Sequence, residues 1–318
     1  MADHEHSHHA GGYDQQKAAQ LTFAIALTGL VFVGEVLGGI WSGSLALLSD
    51  AGHVFSDLSS LALSLVALKL ACRPPTYRHT YGLHRAEVLA ALVNGLALLI
   101  ICLVIFREAT LRLLQPTEVR SAPMLLVAVL GLVANGVVAL RLSHHGQHDI
   151  NIRSAYLHVV GDLLASVAVV VGALIIRFTG LHVVDPILSA GIGLLILAGA
   201  ARVTRDALHI LLEGVPAGID LQQVAAAIAQ IPKVEGVHHM HAWTICSNVL
   251  SFSAHVVACP QTEQERVELR RRIQQVLSGR FGFADTTIEL ECTPPEDTGL
   301  LRPIDHDGQE PRHERHEQ

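Results

Sequence analysis

Apolar positions fill the first two thirds of the chain in six runs, at roughly 19–41, 44–70, 86–113, 122–142, 153–178 and 183–211. Each is near the ~20 residues a helix needs to cross ~30 Å of hydrocarbon. The third holds an uncharged stretch from Val88 to Phe106. This pattern predicts six transmembrane helices. After Glu213-Gly214-Val215-Pro216 the character changes. Asp220 to Ile231 reads as an amphipathic helix opened by an acid and closed by Pro232. Val237 to Ile245 and Val249 to Val257 alternate as strands. Gln261 to Leu277 reads as a charged amphipathic helix and Thr286 to Cys292 as a third strand. The order α-β-β-α-β suits a small open sheet with helices on one face. The expected division is a His-rich disordered tail at 1–16, a transmembrane domain at 17–212, a small α+β domain at 213–293, and a disordered tail at 294–318.

Composition agrees with a membrane class. Of 318 residues, 50% are hydrophobic and 16% charged, with a mean hydropathy of +0.41, too apolar for an ordinary soluble domain. The net charge of −7 and the lack of a Lys/Arg-rich run exclude a nucleic-acid partner. No cleaved signal peptide is visible in the polar N-terminus. Five cysteines without C-x-x-C spacing predict no disulfide framework, as suits a reducing compartment.

Orientation follows the basic residues of the short loops. One set holds Lys17, Lys69, Arg73, Arg78, Arg85, Arg141, Arg153, Arg202 and Arg205, the other Arg107, Arg112, Arg120 and Arg177. The bias puts both termini in the cytoplasm.

The outlier is histidine, 20 in one chain. His53 and Asp57 lie four apart inside the second apolar run, and His158 and Asp162 repeat the pattern inside the fifth. On a helix, residues four apart share a face. Two such helices facing each other offer two imidazoles and two carboxylates to one point. That is a tetrahedral set suited to Zn²⁺. The topology agrees in depth: His53 lies nine residues from Ser44 and Asp162 nine from Arg153. At 1.5 Å per residue each is about 13 Å deep. Ionisable groups at that depth are costly and functional by default. Glu35 and Asp185 are also acids within apolar runs. Either they are functional, or, near the outer ends of their spans, water or a helix N-terminus satisfies them.

Weaker candidates lie outside the bilayer. His4, His6, His8 and His9 form a tract that either holds Zn²⁺ loosely or is a solvated tail. His79 and His84 either make a second, weaker site or belong to a solvated loop. His144, His145 and His148 either pass metal towards His158 or form a polar turn. In the C-terminal domain, strand alternation lets His238, His255 and Glu291 converge on the open sheet face as an exposed metal site. Chance alternation on a wet face is the other reading.

These features resemble the cation diffusion facilitator family. The resemblance rests on H-x-x-x-D in the second and fifth spans, Ser42 to His53, Tyr81-Gly82-Leu83-His84-Arg85-Ala86-Glu87, and Gly236-Val237-His238-His239-Met240-His241-Ala242-Trp243, and spans about residues 17–292. It implies a homodimer that exports Zn²⁺ from the cytoplasm in exchange for protons, with a ferredoxin-like C-terminal domain that binds metal and pairs the protomers. It assigns His53, Asp57, His158 and Asp162 to transport, and matches His238, His255 and Glu291 to ligands of the cytoplasmic domain. Arg85 and Glu213 match a charge interlock near the membrane face. Where some members carry an Asp and two His in the loop before the third span, this chain has Thr76, His79 and Leu83. The short loop between spans four and five leans towards a bacterial inner membrane. No small organic substrate is implied, and lipid is the only other expected partner. Cd²⁺ and Co²⁺ remain possible cargoes. The alternative function is a membrane-bound metal sensor acting through the C-terminal domain. An intramembrane metalloenzyme is disfavoured, because no H-E-x-x-H lies within any of the six apolar runs.

Overall fold

The computed structural model describes residues 26–71, 73–143, 150–246, 249–293 and 299–301. The expected tails at 1–16 and 294–318 therefore lie wholly or almost wholly outside the described residues, as do His4, His6, His8, His9, His144, His145 and His148. The chain divides into two units: one takes the chain up to Gly82 and Leu89–Ala207, the other Leu83–Val88 and the chain from Leu208 onward.

The first unit is helical. It contains α1 (Ala26–Ser42), α2 (Leu45–Ala71), α3 (Ala86–Leu114), α4 (Ser121–Ser143), α5 (Ile150–Thr179) and α6 (Val184–Leu211). Among the described residues four helices, in α3 to α6, are long and apolar enough to cross a membrane. With α1 and α2 the expected six helices are present, four of them complete spans by these measures.

Small and apolar side chains fill the interior, among them Ala46, Leu98, Cys102, Met124, Val169, Ala173 and Ile196. Leu103, Leu130 and Leu195 face outward, as lipid-facing residues do. Gly95 lets α3 approach α6: a Cβ there would run into Thr204. Polar pairs tie neighbours together. Ser59 Oγ donates to Asn94 Oδ1 at 2.6 Å, and Asn135 Nδ2 to Ser166 Oγ at 3.0 Å. Each such bond is worth about 0.6 kcal/mol in a bilayer.

The two buried acids differ from each other. Asp185 meets the N-terminus of α2, as expected. Glu35 does not meet a helix end: it is 3% exposed and its Oε2 has no hydrogen-bond partner among the described residues. Gly131 of α4 closes over its other oxygen.

The second unit contains α7 (Leu221–Ala229), β1 (Gly236–Cys246), β2 (Val249–Val257), α8 (Glu263–Phe281) and β3 (Phe283–Glu291). Asp220 caps α7 by accepting from Gln222 N. Thr262 caps α8, and Gly282 ends it at φ 75°. The sheet order is β1-β2-β3, with β1 and β2 antiparallel and β2 and β3 parallel. The αββαβ order is ferredoxin-like without that fold's first strand. Val224, Ile228, Met240, Phe252, Ile273, Leu277 and Phe283 form the core, with the Phe252 and Phe283 rings 5.0 Å apart.

One expectation fails here. Cys259 and Cys292 form a disulfide across 33 residues of sequence. Spacing could not reveal it. The parallel pairing of β2 and β3 sets the residues after both strand ends side by side, a long-range relation absent from cysteine counting.

Candidate metal centres

The first centre lies within the helical unit. His53 and Asp57 sit one turn apart on α2, and Asp162 reaches them from α5. His53 Nε2 is 3.0 Å from Asp162 Oδ1 and 3.9 Å from Asp57 Oδ2. Candidate ligand atoms of all three lie within 4.8 Å of one another. Zinc bonds of about 2 Å in a tetrahedron put ligand atoms roughly 3.3 Å apart. The observed separations bracket that edge, so small rotamer changes close the group on an ion. His158, the fourth expected ligand, falls on α5 one turn before Asp162, and its side chain is outside those described. Asp50 is 5% exposed and stands one turn before His53 on α2. Sequence reading passed over Asp50 because it breaks the i, i+4 pairing.

The second centre is on the sheet of the C-terminal unit. His238 and His255 are register partners across β1 and β2, and His255 pairs with Glu289 on β3. His255 Nδ1 is 2.5 Å from Glu291 Oε1, and His238 Nε2 is 3.1 Å from Glu291 Oε2. The hydrogen bond with His255 is the main cause holding the Glu291 carboxyl below its usual range, with His238 adding to it. His238 Nδ1 is buried and has no hydrogen-bond partner among the described residues.

His239 joins this group, which the alternation did not foresee. Simple alternation puts His238 on the face of Met240 and Ala242 and His239 on the other. The structure has an irregularity between His238 and His241, with His239 at φ 49°. The bulge sends Met240 and Ala242 into the core and leaves both His238 and His239 beside His255. Two overlapping ligand groups result: His238, His239 and His255, and His255, Glu289 and Glu291. The only sequence signal was the His-His-x-His run itself.

The remaining candidates are peripheral. His79 is exposed and pairs backbone groups with Thr76; no ligand cluster among the described residues includes it. Arg85 Nη2 donates to Glu213 Oε1 at 2.8 Å with both side chains exposed, a pair worth about 0–1 kcal/mol. His84 Nδ1 lies 3.7 Å from Cys246 Sγ. Burial pushes the Cys246 thiol up, helped by the nearby Glu87 charge.

A helical unit fit for a bilayer, with imidazole and carboxylate groups gathered between two of its helices, is the arrangement of an integral membrane protein with a candidate metal-cation site. Residues 21–212 match the family model of the cation efflux transmembrane domain, and residues 216–292 that of the cation efflux protein cytoplasmic domain. The chain belongs to this cation efflux, or cation diffusion facilitator, family of transporters. It is 40% identical to the metal cation efflux system protein CzcD of Cupriavidus metallidurans over 92% of this chain and 91% of that protein. It is 40% identical to the zinc transporter ZitB of Pectobacterium atrosepticum, over 91% of this chain and 88% of that one. A cadmium, cobalt and zinc/H(+)-K(+) antiporter of Bacillus subtilis is 37% identical over 90% of this chain and 91% of its own.

Proposed function

We propose that this protein exports Zn²⁺ from the cytoplasm in exchange for protons, by alternating access through His53, Asp57, His158 and Asp162. The reading is supported chiefly by the approach of His53, Asp57 and Asp162 on α2 and α5. The zinc and cadmium, cobalt and zinc transporters among its relatives support the cargo class. Hydrated zinc enters from the cytoplasm and exchanges water for imidazole and carboxylate ligands. Ligation needs the deprotonated forms, so protons and zinc compete for the same atoms. Histidine titrates near neutral pH, which suits that competition. Rocking of the helices then opens the site outward, and protons arriving from that side expel the metal. A closed four-ligand cage disfavours octahedral Mg²⁺ and Mn²⁺, leaving Cd²⁺ and Co²⁺ as possible secondary cargoes.

In the same reading the protein is a homodimer in a bacterial inner membrane with both termini cytoplasmic. The C-terminal domain pairs the protomers and binds metal through His238, His255 and Glu291, joined by His239 and Glu289. Arg85 and Glu213 are its charge interlock.

The test is zinc flux in proteoliposomes containing a pH dye, under an imposed proton gradient. Zinc uptake with proton release is expected of the wild type and absent from Asp57→Ala. Wild-type protein that binds zinc tightly but moves none would favour the sensor reading.

A further inference from the structure

The disulfide between Cys259 and Cys292 sits at the end of the sheet that carries Glu291. Cys259 stands two residues beyond β2, and Cys292 directly follows Glu291 at the end of β3. Between them the backbone N–H of Ala258 donates to the Glu291 carbonyl at 2.8 Å. Glu291 joins the two imidazoles of the C-terminal cluster, accepting from His238 and His255. Its carboxylate therefore rides on the last residue of a strand, where fraying is easiest. The covalent link holds the chain immediately beyond that point. Both cysteines are exposed, whereas Cys102 and Cys246 are buried.

We propose that Cys259 and Cys292 form a thiol–disulfide exchange site that sets the metal affinity of the His238–His255–Glu291 cluster. This rests on the reading of that cluster as a metal site. Oxidised, the pair braces the end of β3 and presents Glu291 preorganised, which favours binding. Reduced, the strand end loosens and metal is held less tightly. The chemistry balances with a low-molecular-weight disulfide of the glutathione type as oxidant. The Cys259 sulfur attacks one sulfur of that disulfide and expels a thiolate, giving a mixed disulfide. The Cys292 sulfur attacks the Cys259 sulfur and expels the second thiolate. The two leaving groups take the two electrons and the two protons of the cysteine thiols.

The experiment uses the full-length protein in detergent with Asp57→Ala and Asp162→Ala, which removes two of the four proposed membrane ligands. Zinc affinity is read by competition with a chromogenic chelator, after glutathione disulfide or after a phosphine reductant. Thiol counting confirms each state. The oxidised protein should bind about tenfold tighter than the reduced one, in the range that supporting contacts confer on metal sites. Cys259→Ser/Cys292→Ser should match the reduced protein and ignore redox treatment. If that variant fails to fold, the oxidised-against-reduced comparison in the unsubstituted pair still decides. Equal affinity in both redox states overturns the inference. So does a reduced protein that binds tighter than the serine variant, because the thiols would then be ligands themselves. His255→Ala separates the two claims: if it leaves zinc binding by the oxidised protein unchanged, the metal reading of the cluster fails, whatever the redox response.

Discussion

Asp185 Oδ1 accepts a hydrogen bond from Ser44 Oγ at 2.6 Å, joining the first turn of α6 to the start of α2. Its carboxylate also accepts from Leu45 N at 2.7 Å and Ala46 N at 3.2 Å. These are first-turn donors with no partner inside their own helix, and the negative charge suits the positive end of the helix dipole. Arg112 stands 3.7 Å from the same carboxylate and donates to Gly43 O. Asp185 thus acts as a buried cap for the helix that carries His53 and Asp57.

Removing that cap should loosen α2 without touching a ligand. Asp185→Ala leaves buried donors unpaired and should cost about 2–4 kcal/mol. Asp185→Asn, which keeps an accepting oxygen, should cost less. Thermal melts in detergent give the ranking, and zinc flux should fall in parallel. An Asp185→Ala protein that melts with the wild type would show that the contact does not hold α2.

His53 is the position where the membrane cluster should set metal choice. His53→Asp replaces an imidazole with a carboxylate in a group that already holds Asp57 and Asp162. Carboxylates bind through one or both oxygens and tolerate larger ions at higher coordination than a tetrahedral imidazole site, so the larger Cd²⁺ should compete better in flux assays. Asp162→Ala should abolish flux of either ion. An unchanged competition profile in His53→Asp would remove His53 from the selectivity filter.

The membrane fold was readable because lipid imposes one rule on every span. Apolar runs at 44–70, 86–113 and 183–211 became Leu45–Ala71, Ala86–Leu114 and Val184–Leu211. Spacing of four on a helix likewise put His53 and Asp57 on one face. What stayed hidden depends on residues far apart in sequence. Asp185 and Ser44 are separated by 141 positions, and nothing in either neighbourhood names the other. Cys259 and Cys292 meet only because β2 and β3 run parallel. His239 was missed for a local reason: one bulge shifts every later side chain of β1 to the opposite face.

The start of α8 should carry a small pH dependence. Glu265 accepts from Lys233 Nζ at 2.9 Å and from Gln261 N at 2.9 Å, while its own N–H donates to Thr262 Oγ1. The Lys233 bond, then the Gln261 N–H, hold its carboxyl below the usual 4.5. A depressed acid stabilises the fold fully above its ordinary pKa, and loses that contribution as pH falls through the folded value. Glu265→Gln keeps an accepting oxygen but cannot titrate. The melting difference between wild type and Glu265→Gln should therefore shrink as pH is lowered below about 4.5. A difference that is flat with pH would mean the ionised form is not what stabilises the helix start.

His239 offers the cleanest separation of backbone cost from ligand function. Its φ of 49° lies in the left-handed region, which costs a non-glycine residue roughly 1–2 kcal/mol. Glycine adopts that conformation freely. His239→Gly should therefore leave the melting temperature of the metal-free protein unchanged or slightly raised, although a buried ring is lost. His239→Ala keeps the backbone penalty and should melt lower. If His239 is a ligand beside His238 and His255, both variants should lose zinc affinity alike, by about tenfold or more. Measured in a background of Asp57→Ala and Asp162→Ala, that loss belongs to the C-terminal cluster alone. Affinity retained in both would mean that the bulge serves the packing of Met240 and Ala242, with the imidazole a bystander.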